Sequence, residues 1–414
     1  MVKFITLLIY LSIYVGLFAT TFYILSFIAY KKKERLMFGD DELPFVTVLI
    51  PAYNEEGSIE RTIKSIDNSN YPRDKLEILV IDDGSKDKTL EISKKLENDV
   101  VRVFHKENGG KGNALNFGIS KAKGIVVFTM DADTTVDAKS LKNMTRYFKD
   151  GEVMAVTPAM VIDKPKSIWQ RVQHIEYLQG LFLRKAFASV NSIYITPGAF
   201  SAYRKAFFDK HGGYDVGNIT EDLEMSLRIQ FNGYVIENCP DAPAYTRAPK
   251  TFKELLVQRR RWYFGLVKNM IKYKKIMSPK YGDLGVFVLP VAWASIIMAI
   301  SITAYFFFKT IFQVIDEVAF YKSINFDFGN AINVNYYIIE RALFIFFSNP
   351  VLWYVGIFLS LLGFYIYYAS RKLGRVGGLA INLPLYYMFF AILFGFWWFV
   401  SLIYAIFAKT VKWK

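Results

Sequence analysis

The chain has 414 residues, 51 Lys and Arg against 37 Asp and Glu for a net charge of +14, and is 53% apolar and 17% aromatic. That length allows two or three structural units. The single cysteine, Cys239, excludes an internal disulfide framework and a cysteine-rich zinc module.

Four apolar runs contain no charged residue: 4–30, 284–308, 342–370 and 376–408, of 27, 25, 29 and 33 residues. A membrane-spanning helix needs about 20 such residues. The runs therefore predict one span before a central polar segment and about three after it. The first run is too long for a typical signal-peptide core and is read as a retained span. Lysines and arginines near helix ends set orientation. Lys31, Lys32, Lys33 and Arg35 follow the first run, and Lys268, Lys272, Lys274, Lys275 and Lys280 precede the second. Both clusters turn the central segment toward the cytoplasm. The loop expected after residue 308 carries Lys309 and Lys322 beside Asp316, Glu317 and Asp327, as an outside loop can, and Arg371, Lys372 and Arg375 mark a return inside. Lys409, Lys412 and Lys414 break the pattern, and a re-entrant piece broken at Pro384 is the alternative for the last run. The stretch 333–348, interrupted by Glu340 and Arg341, reads as interfacial.

The division expected is thus an N-terminal span (1–30), a cytoplasmic domain (31–250), basic interfacial helices (251–283) and a C-terminal membrane region (284–414). Residues 247–280 hold eleven basic residues against Glu254, which is +10 of the total +14. Charge confined beside a membrane span points to lipid headgroups, not to nucleic acid.

Between residues 40 and 250, strands and helices alternate. The segments 46–52 (VTVLIPA), 76–81 (LEILVI), 100–104 and 125–130 (IVVFTM) are β-branched apolar runs of the kind buried on both faces. Helical stretches lie between them at 58–66, 88–97 and 111–122. This is the rhythm of a parallel sheet flanked by helices. Ligands of such sheets sit beyond the carboxyl ends of the strands. Those ends carry Ala52-Tyr53-Asn54-Glu55-Glu56, Asp82-Asp83-Gly84-Ser85 and Asp131-Ala132-Asp133. Each alone is ordinary turn chemistry; three together on apolar strands point to one acidic crevice.

Asp131 and Asp133, at i and i+2 of an extended segment, point to the same side. Paired carboxylates suit a hard cation such as Mg²⁺ or Mn²⁺ that also takes phosphate oxygens. His105, His174 and His211 are scattered, which disfavours zinc. The loop Asn108-Gly109-Gly110-Lys111-Gly112 offers backbone amides and a lysine to phosphate, without the spacing of a P-loop. Thr196-Pro197-Gly198-Ala199-Phe200 comes next. Thr220-Glu221-Asp222 opens a helix, either as plain N-terminal stabilisation or as a carboxylate available to serve as a general base. Gln258 and Trp262 share a helix face at i, i+4, with Arg261 beside them. They read either as an interfacial anchor or as a sugar-stacking and oxyanion-holding set.

The ordered set YNEE, DDGS, DAD, TED and QRRRW resembles the membrane-bound family-2 inverting glycosyltransferases, above all the processive cellulose, chitin, hyaluronan and poly-N-acetylglucosamine synthases, over roughly residues 45–270. The resemblance implies a nucleotide-sugar-binding, GT-A-like Rossmann-type α/β domain inserted between transmembrane helices. It also implies a multi-pass protein of the cell membrane. By that likeness Asp83 binds uridine with Ala52, Tyr53 and Glu55, and Asp131 and Asp133 hold the diphosphate through Mg²⁺ or Mn²⁺. Asp222 is the general base. Lys111 and Arg261 belong to the donor side. Gly198, Ala199, Glu221, Gln258 and Trp262 belong to the acceptor side. The expected reaction moves a sugar from a UDP-sugar to a growing glycan. The alternatives are single transfer to a polyprenyl-phosphate or lipid acceptor and, more remotely, a transporter with a nucleotide-sensing domain.

Overall fold

The computed structural model describes residues 2–29, 36–323, 336–372 and 378–407. Lys31, Lys32, Lys33, Arg35, Asp327, Arg375, Lys409, Lys412 and Lys414, which bear on orientation, lie outside the described residues. After α1 (Val2–Ala29), the central segment runs β1 (Val46–Ala52), α2 (Ile59–Asp67), β2 (Leu76–Asp82), α3 (Thr89–Lys94), β3 (Val101–His105), α4 (Lys111–Lys121), β4 (Val126–Met130), β5 (Thr135–Val136) and α5 (Ser140–Thr145). It continues through β6 (Val153–Ile162), α6 (Ile168–Ser189), β7 (Phe200–Arg204), α7 (Lys205–His211), α8 (Glu221–Phe231), β8 (Val235–Thr246) and α9 (Phe252–Lys272). Beyond these lie α10 (Leu289–Ser323), α11 (Tyr336–Ser348), α12 (Pro350–Lys372) and α13 (Leu379–Phe407).

The strands form one sheet in the order β3-β2-β1-β4-β7-β6-β8-β5. The first four strands pair in parallel, as their continuous apolar runs predict. Side chains of period two divide each strand between two cores: Val46, Val48 and Ile50 on one face of β1, Leu49 on the other. The remaining half of the sheet departs from the all-parallel expectation. β7 runs antiparallel to both β4 and β6, and β5 antiparallel to β8, while β6 and β8 are parallel. The reversal at β7 joins two distant segments. Met130, the last residue of β4, pairs with Phe200, the first of β7. The chain entering β7 therefore lies beside the chain leaving β4.

Helix α6 lies between the sheet and the membrane helices. Its start is a capping box, in which Ser167 accepts from the Gln170 amide and Gln170 accepts from the Ser167 amide. One side packs on β6, and the other meets α1, α12 and α13. Phe182 stacks on Tyr365 of α12 with centroids 4.1 Å apart.

Three helices among the described residues are long and apolar enough to cross a membrane: Ile5–Ser26, Leu284–Ser323 and Pro350–Arg371. A fourth candidate is a pair, Leu379–Phe389 and Leu393–Tyr404, bent by 45°. Pro384 lies inside the first of that pair, so the bend is not at the proline. Two expectations change. Lys309, Asp316, Glu317 and Lys322 lie on a helix continuous with the second span, not on a loop. The run 342–370 divides at Asn349, whose side chain caps the Val351 amide while Pro350 starts α12. Proline disfavours helical backbone at the residue before it and suits the first helical position.

Candidate active site

The carboxyl ends of β1, β2 and β4 face one crevice, and tight turns bring their side chains there. Ala52 pairs with Asp82 across β1 and β2, and the Asp83 amide donates to the Ala52 carbonyl at 2.8 Å. Asn54 takes φ +54°, and its side chain and amide bond Lys86 and Ser85. Tyr53 stays exposed at the rim. The Glu55 amide donates to Thr89 Oγ1 at 2.7 Å, and Ser58 Oγ donates to the Glu55 carboxylate.

Asp83 is buried and fully engaged. It accepts from the amides of Gly109 (3.0 Å) and Gly110 (2.7 Å) and from Lys106 Nζ (2.6 Å). The carboxylate thus fixes the glycine loop and sets the start of α4. Gly84 is required here: it has φ +76°, and a Cβ would lie 2.9 Å from the Asn108 amide nitrogen. Neighbouring Asp82 is wholly buried and bonds His105 Nδ1 at 2.7 Å.

The glycine loop delivers Lys111 to the centre of the crevice. Its Nζ lies 2.6 Å from Asp131 and 3.3 Å from Glu221, and 3.4 Å from the Gly198 carbonyl oxygen. Burial disfavours the ammonium, but Asp131, Glu221 and Asp222 outweigh it and push the lysine pKa up. Glu221 is buried, and burial raises its pKa against the opposing pull of Lys111. Asp133 is raised to about 6 by burial first, then by the nearby carboxylates of Asp131 and Glu55, with Arg247 and Lys111 opposing.

The antiparallel β7 completes the cluster. The Asp131 amide donates to the Ala199 carbonyl at 3.0 Å, and the Gly198 amide to Asp222 Oδ2 at 2.8 Å. The Leu223 amide donates to Asp222 Oδ1 at 2.8 Å, so two backbone donors orient this carboxylate. A Cβ at 198 would be 2.7 Å from Asp222 Oδ2, so any larger residue would displace this carboxylate. Thr196 ties the same turn to α8 through Ser226 Oγ (2.7 Å) and the Asp222 carbonyl (3.1 Å). Asp131, Lys111, Gly198, Glu221 and Asp222 are therefore in one contiguous group, with Asp133 and Glu55 within electrostatic reach.

Helix α9 docks on this group through a close backbone approach. A Cβ on Gly265 would lie 2.2 Å from Thr220 Oγ1, and Asn269 donates to Thr220 Oγ1 and Asn218 Oδ1. Gln258 accepts from Gln173 of α6 at 2.8 Å. Trp262 lies under the guanidinium of Arg259, 4.6 Å from its ring centre. Gly265→Ala is expected to force α9 away from Thr220 and to cost about 1–3 kcal/mol of stability by overpacking. A thermal melt of the purified variant checks this, and an unchanged midpoint would contradict the tight contact.

Several residues that shape this site are not singled out by the sequence. Arg259 is buried, forms a fork to Glu176 of α6, and sits between Trp262 and Trp397 of α13. Its signal, an arginine inside QRRRW, is not separable from that of its two neighbours by sequence alone. Arg247, Gln173 and Glu176 carry no motif signal. Among the described residues no group of three or more His, Cys, Asp or Glu side chains has metal-holding geometry. The chain itself offers the pair Asp131 and Asp133.

Residues 47–212 match the family profile Glycosyl transferase family 2. Over 261 residues the chain is 34% identical to a poly-β-1,6-N-acetyl-D-glucosamine synthase of Staphylococcus aureus (strain MSSA476), covering 62% of this chain and 63% of that protein. The match thus spans less than two thirds of the relative's length. The fold is similar to that of the mannosyltransferase PcManGT from Pyrobaculum calidifontis, solved in complex with GDP-Man and Mn²⁺. That likeness has a TM-score of 0.57 at 21% identity and covers 88% of this chain and 98% of that one.

Proposed function

We propose that this chain, whose residues 47–212 match the Glycosyl transferase family 2 profile, transfers sugar from a UDP-sugar to a growing β-linked glycan at the inner face of a membrane. UDP-N-acetylglucosamine is the donor put forward, in line with the activity for which the relative from Staphylococcus aureus is named. The observation that carries the reading is the group in which Gly198 orients Asp222 beside Lys111 and Asp131. It puts one candidate base, one cation and the DAD carboxylates at the same strand ends.

In this scheme the acceptor hydroxyl attacks the anomeric carbon as the bond to the β-phosphate oxygen breaks. UDP leaves with the bonding pair, and configuration inverts. Asp222 takes the acceptor proton; its two amide donors hold the carboxylate toward the acceptor. Lys111 and Arg261 offset the negative charge that grows on the leaving diphosphate. Ala52, Tyr53 and Glu55 form the uridine end, and Asp83, whose carboxylate is taken up by Gly109, Gly110 and Lys106, shapes it through the glycine loop. Gly198, Ala199, Glu221, Gln258 and Trp262 line the acceptor end, where an indole suits the apolar face of a pyranose.

Asp131 and Asp133 fit a divalent cation. Asp131 lies close enough to help burial raise the Asp133 pKa, with Glu55 adding to the repulsion. Mg²⁺ is commonly held by one or two carboxylates with phosphate and water completing the shell. When bound, the ion supplies charge neutralisation of the diphosphate. The protein residues around it orient the donor with either Mg²⁺ or Mn²⁺ in place.

The sign of the pH effect is set by Asp133. Its pKa in the fold, about 6, lies above the ordinary carboxylate value. The metal-free fold is therefore relatively stabilised as pH falls through about 6 and destabilised above it. Cation binding runs the other way, because a proton must leave. Metal-dependent UDP affinity is expected to strengthen from pH 5 to pH 7, by about tenfold per pH unit at most below the pKa. Titration calorimetry at several pH values checks this, and a flat profile would remove Asp133 from the metal pair.

Radiolabelled UDP-N-acetylglucosamine given to membranes that contain the protein tests the whole reading. Long labelled polymer with release of UDP is expected. A single sugar on lipid would replace the processive reading with single transfer, and no release of UDP would reject both.

A further inference from the structure

Arg247 has a place in the site but no part in the reaction scheme. It follows β8 directly, and it is exposed. Strand β5, which starts just after the DAD turn, pairs antiparallel with β8: Thr135 lies opposite Tyr245 and Val136 opposite Ala244. Antiparallel partners run in opposite directions, so the same register, carried past Thr135 and Tyr245, brings Asp133 toward Arg247. The charge of Arg247 does act on Asp133. Helix α2 holds the DAD turn from its other side, where Thr62 Oγ1 donates to the Ala132 carbonyl at 2.9 Å. The arginine reaches across that turn. Its Nη2 donates at 3.1 Å to the carbonyl of Gly57, in the loop that runs from Tyr53 to α2.

The protein does not use up this guanidinium. A second carboxylate, Asp163, lies near it along the sheet, because the β6–β8 register sets Ile162 beside Thr246 and the Asp163 amide donates to the Thr246 carbonyl at 2.9 Å. Asp163 is turned instead to Arg61, at 3.1 Å. Among the described residues Arg247 has no carboxylate within ion-pair distance, and its hydrogen bond is the one to Gly57. Lys111, the other cation that acts on Asp133, is already shared among Asp131, Glu221 and Asp222.

Position and charge together select a ligand. On one side of Arg247 is the loop of the uridine end, and on the other is the DAD turn. In a nucleotide sugar the group between the nucleoside and the sugar is the pyrophosphate. It brings negative charge beside Asp131, Asp133 and Glu55, so it needs a cationic side chain whose charge is not already spent. An exposed guanidinium with N–H donors to spare matches adjacent phosphate oxygens.

We propose that Arg247 is a donor-binding residue: its guanidinium, steadied by the Gly57 carbonyl, donates to pyrophosphate oxygens of the nucleotide sugar from the rim of the crevice, while Lys111 lies at the centre. The inference rests on the donor being a nucleotide diphosphate sugar, as the proposed function has it. It adds to Lys111 and Arg261 a cation that lies in none of the sequence motifs.

The test uses the full chain in phosphatidylcholine nanodiscs at saturating Mn²⁺, with UDP titrated calorimetrically and uridine read by competition against UDP. Arg247→Gln is expected to weaken UDP about tenfold, the loss of a charge-assisted hydrogen bond, and to leave uridine unchanged. Arg247→Lys keeps the charge and loses the fork, so its UDP affinity should fall between those of wild type and Arg247→Gln. The melting midpoint should hold in both variants, because the side chain is exposed and its loss strands no buried charge. Equal UDP affinity in wild type and Arg247→Gln overturns the contact. A loss shared equally by UDP and uridine overturns it in favour of a clasp that shapes the uridine end through Gly57. A loss of Mn²⁺ affinity in the nucleotide-free Arg247→Gln protein overturns it in favour of a role through the DAD turn, since removing a nearby positive charge does not by itself weaken a cation. A wild type that binds UDP with this dependence on Arg247, yet transfers no sugar, rejects the transferase reading and keeps the contact. A wild type that binds no UDP rejects both.

Discussion

Asp222→Asn is expected to lower sugar transfer by about 10²–10⁴-fold while UDP affinity stays near that of the wild type. The amide is nearly the same size as the carboxylate and can still accept one hydrogen bond at its oxygen. It cannot take a proton from the acceptor hydroxyl. The change also sets an amide NH₂ group against one of two backbone donors, the Gly198 amide at 2.8 Å from Asp222 Oδ2 or the Leu223 amide at 2.8 Å from Oδ1. Asn can turn its oxygen to Gly198, at the expense of the bond to the Leu223 amide. Asp222→Glu separates chemistry from packing: it keeps the base but drives it into the Gly198 turn, where 2.7 Å already separates Asp222 Oδ2 from an ideal Cβ. Initial rates of UDP release, with UDP affinity measured in parallel, check the expectation. Turnover retained in Asp222→Asn would remove this carboxylate from the proton-transfer role, and UDP affinity lost in step with turnover would move it to the donor side.

The legible part of this architecture is the part written in short-range pattern. The runs 46–52, 76–81, 100–104 and 125–130 are largely apolar, and each is a parallel strand within a residue of its predicted bounds; the three inner ones are buried, while β3, at the edge of the sheet, is only partly so. The turn residues beyond them follow from the geometry of strand ends, so the crevice is readable from Asp83, Asp131 and Asp133. The second half of the sheet is not. Nothing in FSAYR distinguishes an antiparallel strand from a parallel one, because both present alternating buried side chains, and orientation depends on the path taken by α6. That helix has no signature of its own: it carries Arg, Glu, Gln and His among its apolar residues and lacks a motif. Its polar residues Gln173 and Glu176 meet Gln258 and Arg259 of α9, partners that are distant in sequence. The division of the run 342–370 at Asn349-Pro350 is visible as an X-Pro step, but hydropathy averaged over a long window hides one residue pair.

The membrane helices and the crevice are coupled through a few side chains. Tyr263 of α9 stacks on Trp398 of α13 with centroids 4.2 Å apart and planes 4° from parallel, and Arg260 lies 4.2 Å from the ring centre of Tyr404. Helix α9 is thereby held from two sides, by Thr220 through Gly265 and by α13 through aromatic rings. Its distance from Asp222 is set by both contacts. A change of packing in α13 therefore reaches Gln258 and Trp262 through α9.

The central fastener in that linkage is the fork between Arg259 and Glu176, and Arg259→Ala is expected to be the most destabilising single change outside the sheet. The arginine side chain is 3% exposed and Glu176 is 25% exposed, so water compensates little of what is lost on the arginine's side. Removing one partner of a buried pair costs about 3–5 kcal/mol. The flat guanidinium also fills the space between Trp262 (4.6 Å) and Trp397 (5.2 Å), and a cavity between two indoles adds to the loss. Arg259→Lys keeps the charge but gives up the two-pronged contact and the stacking; it should fold, melt lower, and show a raised acceptor KM with little change in donor KM, because Trp262 is no longer braced. Glu176→Gln/Arg259→Gln should melt above Arg259→Ala, since it leaves neither charge uncompensated. Melting curves of the purified full chain in detergent decide the matter. If the double variant is as unstable as the sum of its two single variants, the pair is not coupled, and the brace on Trp262 must be sought in the aromatic contacts with α13 alone.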